Sequence, residues 1–225
     1  MPKTISPEIK SLVIAISKEL RALPELKTEG IRRVRRGFTK RLADSPPHLM
    51  IGLAEELIAQ PNLVYRIVAY ELIHYHRPAL RSLKAATLDR LGKGIDHWAA
   101  VDTFAVYLAG PSWCNGQIDD AHIHRWARSR DRWWRRAALV STIPLNLKSR
   151  GGCGDCKRTL EVSEMLIGDR DDMVVKAMSW ALRELAKRNP KAVEGFLDEH
   201  KDALAARVVR EVRNKLTTGV KNPRR

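Results

Sequence analysis

Apolar side chains recur at helical spacing along almost the whole chain, and this periodicity constrains the fold more than any other feature. The first example is a stripe between Ile9 and Leu20, on a helix that Ser6 would cap and Pro24 would end. The same pattern predicts further helices at about 28–43, 46–59, 63–75, 78–91, 94–109, 118–128, 131–147, 155–168, 171–188, 190–198 and 200–217. Gly and Pro separate these segments, and none alternates like a β-strand. The sequence therefore predicts an all-α protein of about twelve helices in about six antiparallel pairs.

The helix pairs recur at roughly 35–40 residues, which is typical of HEAT-like repeats that stack into an α-solenoid. We therefore predict a single HEAT-like helical domain over residues 1–217 and a short basic tail over 218–225. A compact helical bundle is the alternative, because the sequence shows no strict repeat. In a solenoid, one helix of each pair lines a concave face, and we expect this face to be basic.

The charge of the chain indicates a polyanionic partner. Its 225 residues include 41 Lys and Arg against 26 Asp and Glu, a formal net charge of +15, which favours nucleic acid. No apolar run approaches the length of a transmembrane helix, and MPKTISPEIK lacks the apolar core of a secretory signal. The odd number of cysteines fits a reducing cytoplasm. We expect a cytoplasmic monomer that acts at the nucleoid, with no membrane partner.

Two arginine-rich segments give this charge a location. The first comprises Arg32, Arg33, Arg35, Arg36, Lys40 and Arg41. The second comprises Arg125, Arg128, Arg130, Arg132, Arg135 and Arg136, with Trp126, Trp133 and Trp134 between them. In the first segment Arg32, Arg36 and Lys40 share one helix face, where like charges repel and a polyanion would relieve the repulsion. A solvated helix face is the alternative interpretation.

The helix predicted over 171–188 places a tryptophan among cations. Trp180 falls on the helix face opposite the apolar stripe. Its neighbours on that face are Lys176, Arg183 and Lys187. The functional interpretation is an aromatic surface that faces a polyanion among phosphate-binding cations. The alternative is that Trp180 packs against a neighbouring helix, with the lysine stems around it.

The helix predicted over 94–109 places an acid beside a second tryptophan. Trp98 and Asp102 are four residues apart, so they are neighbours on one edge of the helix. An indole face and a carboxylate together suit a cationic group. The alternative is that Asp102 caps a neighbouring helix or forms a salt bridge with it.

Three segments resemble the AlkD-type DNA alkylation repair glycosylases, in the order and at the approximate spacing of that family. Residues 97–102 (HWAAVD) resemble its tryptophan-and-aspartate segment, residues 132–139 (RWWRRAAL) its arginine-containing helix, and residues 176–184 (KAMSWALRE) its second tryptophan helix. The resemblance extends from about residue 26 to 216. It departs from the family pattern at His97 and Ala99, and no match to the family's N-terminal aromatic residue is visible.

The resemblance implies a HEAT-like solenoid that binds duplex DNA on a basic concave face. It also implies a base excision repair enzyme that releases cationic N3- or N7-alkylated purines without drawing the base into a pocket. By motif position, Trp98 and Trp180 would flank the damaged nucleotide, Asp102 would be the catalytic carboxylate and Arg136 would contact the DNA backbone. From the two basic segments and the Trp180 face, we expect further DNA contacts from Arg32, Arg36, Arg135, Lys176, Arg183 and Lys187.

Hydrolysis of the N-glycosidic bond of a cationic purine needs few catalytic groups. A cationic purine is a good leaving group, so one carboxylate suffices to stabilise the positive charge that develops on the deoxyribose and to orient a water. No lysine is placed for a Schiff base, so we expect a DNA-alkylpurine N-glycosylase without lyase activity. The alternatives are a DNA-binding HEAT-like module without catalysis and a protein-binding helical scaffold.

Other candidate sites in the sequence are weak. Cys153 and Cys156 form a CxxC motif, but a second pair of zinc ligands at typical spacing is missing. We expect neither a metal nor a cofactor. His74 and His76, which lie beside Tyr75 near a helix end, are interpreted as surface residues of that helix or as groups that satisfy its dipole.

Overall fold

A computed structural model describes residues 6–223. Residues 1–5 of the N-terminal segment and Arg224 and Arg225 of the predicted tail lie outside this range. The α-helices are α1 (Pro7–Arg21), α2 (Thr28–Arg41), α3 (Pro47–Ile58), α4 (Leu63–Tyr75), α5 (Arg77–Arg81), α6 (Ala85–Gly92), α7 (Trp98–Phe104), α8 (Gly110–Cys114), α9 (Asp120–Ala127), α10 (Arg132–Ser141), α11 (Ile143–Asn146), α12 (Cys156–Met165), α13 (Asp172–Ala186), α14 (Pro190–Glu199) and α15 (Ala206–Thr218). Residues 6–223 contain no β-strand, so the predicted all-α fold is confirmed.

The helices form two compact units, a first that ends at Gly94 and a second that begins at Ile95. The sequence predicted one domain over 1–217. Within each unit, helices that follow one another closely in the chain pack together, as α3 does with α4 and α9 with α10. Pairs of this kind, joined by short loops, are the building blocks of helical repeats. In the part of the chain that the structure describes, no helix is long and apolar enough to span a membrane.

An ion pair between α2 and α4 is buried in the first unit. The Nε of Arg35 donates a hydrogen bond to Oε2 of Glu71 over 2.9 Å, and the two side chains are only 7% and 5% exposed. The Nε of Arg32 lies 3.7 Å from the other carboxylate oxygen. Buried charges are tolerated in proteins when they are paired in this way.

In the second unit, α7 and α8 form one rod because the chain passes through Gly110 and Pro111 without a break. This result corrects the prediction that these two residues end the helix. A π-helical turn over Ala105–Ala109 joins the two helices, and its wider spacing accommodates a proline that has no N–H to donate. Gly110 is required here by packing, because a Cβ at this position would lie 2.7 Å from the Ser141 carbonyl oxygen.

Two further predicted helices are each divided in the structure. The segment predicted at 78–91 forms α5 and α6, and the segment predicted at 131–147 forms α10 and α11. In the second case Pro144 lies in the first turn of α11, since a proline within a continuous helix would remove a backbone hydrogen bond.

The tryptophans of the second arginine-rich segment belong largely to packing. Trp126 is 3% exposed, and its ring centroid lies 4.8 Å from that of Trp134 and 5.7 Å from that of Phe104. This aromatic cluster joins α7, α9 and α10. The sequence interpretation placed Trp126 within a basic surface, which is wrong, because the ring is in the core.

The start of the predicted tail is attached to α15. That helix ends at Thr218, and Gly219 follows in a left-handed conformation with a φ of 76°. The Lys221 ammonium then lies 3.3 Å from the buried Glu211 carboxylate.

Candidate active site

The first turn of α7 presents Trp98 to solvent. His97 is the N-cap, and its Nδ1 accepts a hydrogen bond from the Ala99 N–H over 3.2 Å. The helix therefore begins at Trp98, whose side chain is 50% exposed. Asp102 follows one turn later on the same edge, as the spacing predicted.

Asp102 forms a bidentate ion pair with Arg136 of α10. Nε and one terminal nitrogen of the guanidinium each lie 2.8 Å from a different oxygen of the Asp102 carboxylate. The other terminal nitrogen donates to the backbone carbonyl of Met173, at the start of α13. One arginine thereby ties together α7, α10 and α13, the three helices that carry the three family-like segments.

Burial raises the pKa of Asp102 above its ordinary value, while the hydrogen bond and the charge of Arg136, and more weakly the charge of His97, act to lower it. The Asp102 side chain remains 17% exposed. A carboxylate offers about four lone-pair positions, of which a bidentate arginine occupies two. Asp102 can therefore hold a water while it remains bound to Arg136.

Arg136 has partners that the sequence did not predict. Its side chain is 7% exposed, and its bonds run to Asp102 and Met173. The predicted contact with the DNA backbone stays a prediction. The alternative interpretation of Asp102, a salt bridge to a neighbouring helix, describes the observed pair.

Trp180 lies on α13 with a half-buried ring. The three cations near it in sequence all have partners within the protein. Lys176 pairs with Asp172 at 2.6 Å, Lys187 pairs with Glu184 at 2.7 Å, and Arg183 donates to the Ser179 hydroxyl over 3.2 Å. Burial lowers the pKa of Arg183. To contact DNA, each of these cations would have to leave its partner within the protein or bind that partner and the DNA together.

The other arginines predicted to contact DNA differ in whether an acidic side chain of the protein already binds them. Arg135 is bound to Asp169 at 2.6 Å and is only 21% exposed. Arg32 is half exposed beside Glu71. Arg36 is exposed, and it forms no ion pair within residues 6–223. The structure therefore leaves Arg36 more available to a phosphate than Arg135.

The cysteines form no metal centre in the described region. Cys114, Cys153 and Cys156 are free thiols, and burial raises the pKa of Cys114 and of Cys156. Within residues 6–223, no three His, Cys, Asp or Glu side chains converge in a way that would hold a metal ion.

Sequence reasoning missed the pair that organises the site. Asp102 and Arg136 are 34 positions apart, so no helical spacing relates them. The available signal was the arginine-containing segment itself, which the resemblance associated with DNA and not with the carboxylate.

Comparison with known proteins supports the family suggested by the three segments. The family model described as DNA alkylation repair enzyme matches residues 5–216. A solved structure described as a predicted DNA alkylation repair enzyme from Enterococcus faecalis has the same fold, with a TM-score of 0.67 and 16% sequence identity over 96% of this chain and 99% of that one. No curated protein gives a significant match. Since the family model covers nearly the whole sequence, the chain belongs to the DNA alkylation repair enzyme family.

Proposed function

We propose that the protein is a monofunctional DNA glycosylase that hydrolyses the N-glycosidic bond of cationic N3- or N7-alkylated purines in duplex DNA. The observation that carries this proposal is the Asp102 carboxylate, held by Arg136 at 2.8 Å one helical turn from the exposed indole of Trp98. A fixed, partly desolvated anion beside an aromatic face is an arrangement suited to a substrate that is already positively charged.

In this proposal Asp102 acts on charge that develops during bond cleavage. As the alkylated base departs, the deoxyribose becomes cationic, and a carboxylate already in position stabilises that charge without reorganising. The base departs as a neutral purine and needs no proton. The free lone pairs of Asp102 orient the water that attacks the sugar carbon, and the proton of that water passes to the carboxylate or to solvent.

Arg136 is a positioning residue in this mechanism. Its planar fork fixes the carboxylate in one orientation, which a lysine could not do. Its hydrogen bond and its charge also oppose burial, which raises the pKa of Asp102, and so favour the ionised carboxylate.

The two tryptophans would contact the damaged nucleotide. Trp98 offers an exposed face to a cationic base, worth about 0.5–2 kcal/mol as a cation–π contact. Trp180 would supply a second face from α13, where Lys176, Arg183 and Lys187 would contact phosphates.

The absence of lyase activity in this proposal follows from the available amines. A Schiff base needs a neutral lysine amine next to the sugar. Lys176, the lysine of the Trp180 helix, is bound to Asp172 at 2.6 Å. Hydrolysis by water is therefore the proposed route.

One observation favours a DNA-binding module without catalysis as the second candidate. The charge of Asp102 is already balanced by Arg136, so the pair is also suited to a purely structural role in joining α7 to α10. The same experiment separates the two candidates.

The test is release of free 7-methylguanine or 3-methyladenine from duplex DNA, followed by chromatography under single-turnover conditions with saturating enzyme. We expect wild-type protein to release base and Asp102→Asn to be slower by about 10²–10³-fold, the cost typical of removing one electrostatic stabiliser. Asp120→Asn is the matched control, because Asp120 is also bound by an arginine at 2.8 Å, that of Arg158, and lies outside the proposed site.

Folding is monitored in parallel by thermal melting, since Asp102→Asn leaves Arg136 without its anion. The double variant Asp102→Leu/Arg136→Met removes both charges and is expected to fold but not to release base. Equal rates for wild type and a folded Asp102 variant would exclude the role of Asp102. Tight, salt-sensitive DNA binding without any base release would favour the binding module.

A further inference from the structure

A second exposed aromatic ring lies in the first unit, away from the residues of the candidate active site in the sequence. Five large hydrophobic side chains are exposed among residues 6–223, and only Tyr75 and Trp98 of these are aromatic. Tyr75 ends α4 and is 46% exposed. Exposed aromatic rings with a fixed orientation are common at binding surfaces, because they offer contact area at low entropic cost.

One face of the Tyr75 ring packs against the guanidinium of a buried arginine. The Arg35 guanidinium lies 4.0 Å from the ring centroid. Arg35 is itself fixed, because it is 6% exposed and bound to the buried Glu71 carboxylate at 2.9 Å. One face of the tyrosine ring is thereby covered by a rigid cation, and the exposed part of the side chain remains toward solvent.

The surroundings of Tyr75 carry surplus positive charge. Arg32 approaches the same Glu71 carboxylate at 3.7 Å and is 50% exposed. Two arginines therefore share one buried carboxylate, which leaves a net charge of about +1 at this place. Arg33 and Arg36, on the same helix as Arg32 and Arg35, are exposed and form no ion pair in the described part of the chain.

We propose that Tyr75 and Arg32 form a second DNA contact, at which the tyrosine ring packs against one nucleotide of a strand and the arginine binds its phosphate. This inference rests on the proposed function only in taking DNA as the ligand. Contacts to sugars and phosphates bind a duplex irrespective of its sequence, and here the ring would pack against a sugar while the cation neutralises the phosphate beside it.

The contact serves binding and not chemistry. Glu71 is 4% exposed and has two cationic partners, so it is not available to a sugar or a water. A contact of this kind does not distinguish damaged from intact nucleotides. It should strengthen binding to any duplex by the same factor.

The test is fluorescence anisotropy of undamaged and 7-methylguanine-containing duplexes, titrated with purified variants at several salt concentrations. Tyr75→Ala should weaken binding to both duplexes by about fivefold, which corresponds to the loss of about 1 kcal/mol of contact between the ring and a sugar of the backbone. Tyr75→Phe keeps the ring and should bind within about twofold of wild type. Ile14→Ala is the matched control, because Ile14 is an exposed hydrophobic residue of the first unit without a cation on its side chain.

The salt dependence distinguishes the two residues of the contact. Tyr75→Ala removes no charge, so the slope of log affinity against log salt should be unchanged. Arg32→Ala should reduce that slope by about one. Placing p-benzoylphenylalanine at position 75 should give a photo-crosslink to DNA, and the same substitution at position 14 should not.

Binding by Tyr75→Ala equal to that by Ile14→Ala, or the absence of a crosslink from position 75, would overturn the inference. A Tyr75-dependent affinity combined with no base release would support the inference and overturn only the proposed function. A wild-type protein that does not bind DNA would overturn both.

Discussion

The two units each contain a buried arginine that binds a carboxylate from another helix, with an exposed aromatic residue four positions from that carboxylate. In the first unit Glu71 binds Arg35, an interaction called here the Glu71 pair, and Tyr75 follows Glu71 by one turn. In the second unit the Asp102 pair joins Asp102 to Arg136, and Trp98 precedes Asp102 by one turn.

The carboxylates of the two pairs differ in their access to water and in their charge balance. Glu71 is 5% exposed in its side chain and is shared by Arg35 and Arg32. Asp102 is 17% exposed, and within residues 6–223 Arg136 is its one ion-pair partner. The Glu71 pair therefore leaves surplus positive charge, whereas the Asp102 pair is neutral and keeps an anionic oxygen within reach of solvent.

The arginines differ in what they do to the aromatic residue. Arg35 lies under the ring of Tyr75, whereas Arg136 continues to the Met173 carbonyl and binds α13. The same combination of residue types thus supports two functions. In our proposals, the buried acid with an arginine against the ring fixes a binding surface, and the more exposed acid beside the exposed Trp98 provides a reactive anion.

The largest expected loss of stability comes from removing the arginine of each ion pair and leaving its carboxylate. Arg136→Met should lower the free energy of unfolding by about 3–5 kcal/mol near neutral pH, because it leaves a partly buried carboxylate without a partner. Arg35→Met should cost less, because Arg32 still lies 3.7 Å from Glu71. Urea denaturation of both variants measures the difference.

The double variants provide the control for this comparison. Asp102→Leu/Arg136→Met and Glu71→Leu/Arg35→Met should each recover most of the lost stability, since no buried ion is left unpaired and Arg32, which also loses Glu71, is half exposed. A larger loss for Arg35→Met than for Arg136→Met would show that Arg32 does not compensate, and that the Glu71 pair is the less tolerant of the two.

An intermediate effect is expected in the pH dependence of base release. Burial raises the pKa of Asp102 in the folded protein above its value in the unfolded chain. Protonated Asp102 therefore adds to the free energy of unfolding at low pH, and this contribution is lost as the pH rises through the raised pKa. The reactive carboxylate exists only above the same pKa, so the rate should fall as the solution is acidified. Arg136→Met removes a group that lowers the pKa, and the acid limb should move to higher pH.

Arg136→Lys is the matched variant, because it keeps the positive charge and loses the bidentate fork. Its acid limb should fall between those of wild type and Arg136→Met when single-turnover rates are measured across the range from about pH 4.5 to 8. An acid limb that does not move in Arg136→Met, or that moves to lower pH, would show that the rate does not report the ionisation of Asp102.

Local sequence patterns predicted residues of the candidate site but not the ion pair between Asp102 and Arg136. The spacing of Trp98 and Asp102 placed them on one helix edge, and the resemblance selected Arg136. The pairing of Asp102 with Arg136 depends on how α10 packs against α7, and this arrangement is determined by contacts such as that between Phe104 and Trp126. No spacing within one helix encodes such a contact.

The helical pattern was also reliable for most elements and failed at particular residues. Gly110 and Pro111 were interpreted as a break, although a π-helical turn carries the chain through them. Trp126 was grouped with surface arginines because sequence adjacency does not show which side of α9 is buried. The contact between Tyr75 and Arg35 depends on the packing of α2 against α4, which no spacing within one helix encodes.

The smallest expected effect concerns the two exposed rings themselves. Tyr75→Ala should lower the free energy of unfolding by about 0.5–1 kcal/mol through loss of its contact with Arg35, and Trp98→Ala should cost less, since no cation covers its ring in the described structure. Urea denaturation of Tyr75→Ala, Arg35→Met and the double variant isolates the coupling between Tyr75 and Arg35. A loss in Trp98→Ala that equals or exceeds that in Tyr75→Ala would mean that Trp98 packs against the protein, and its exposed face would then be a weaker candidate for contact with a damaged base.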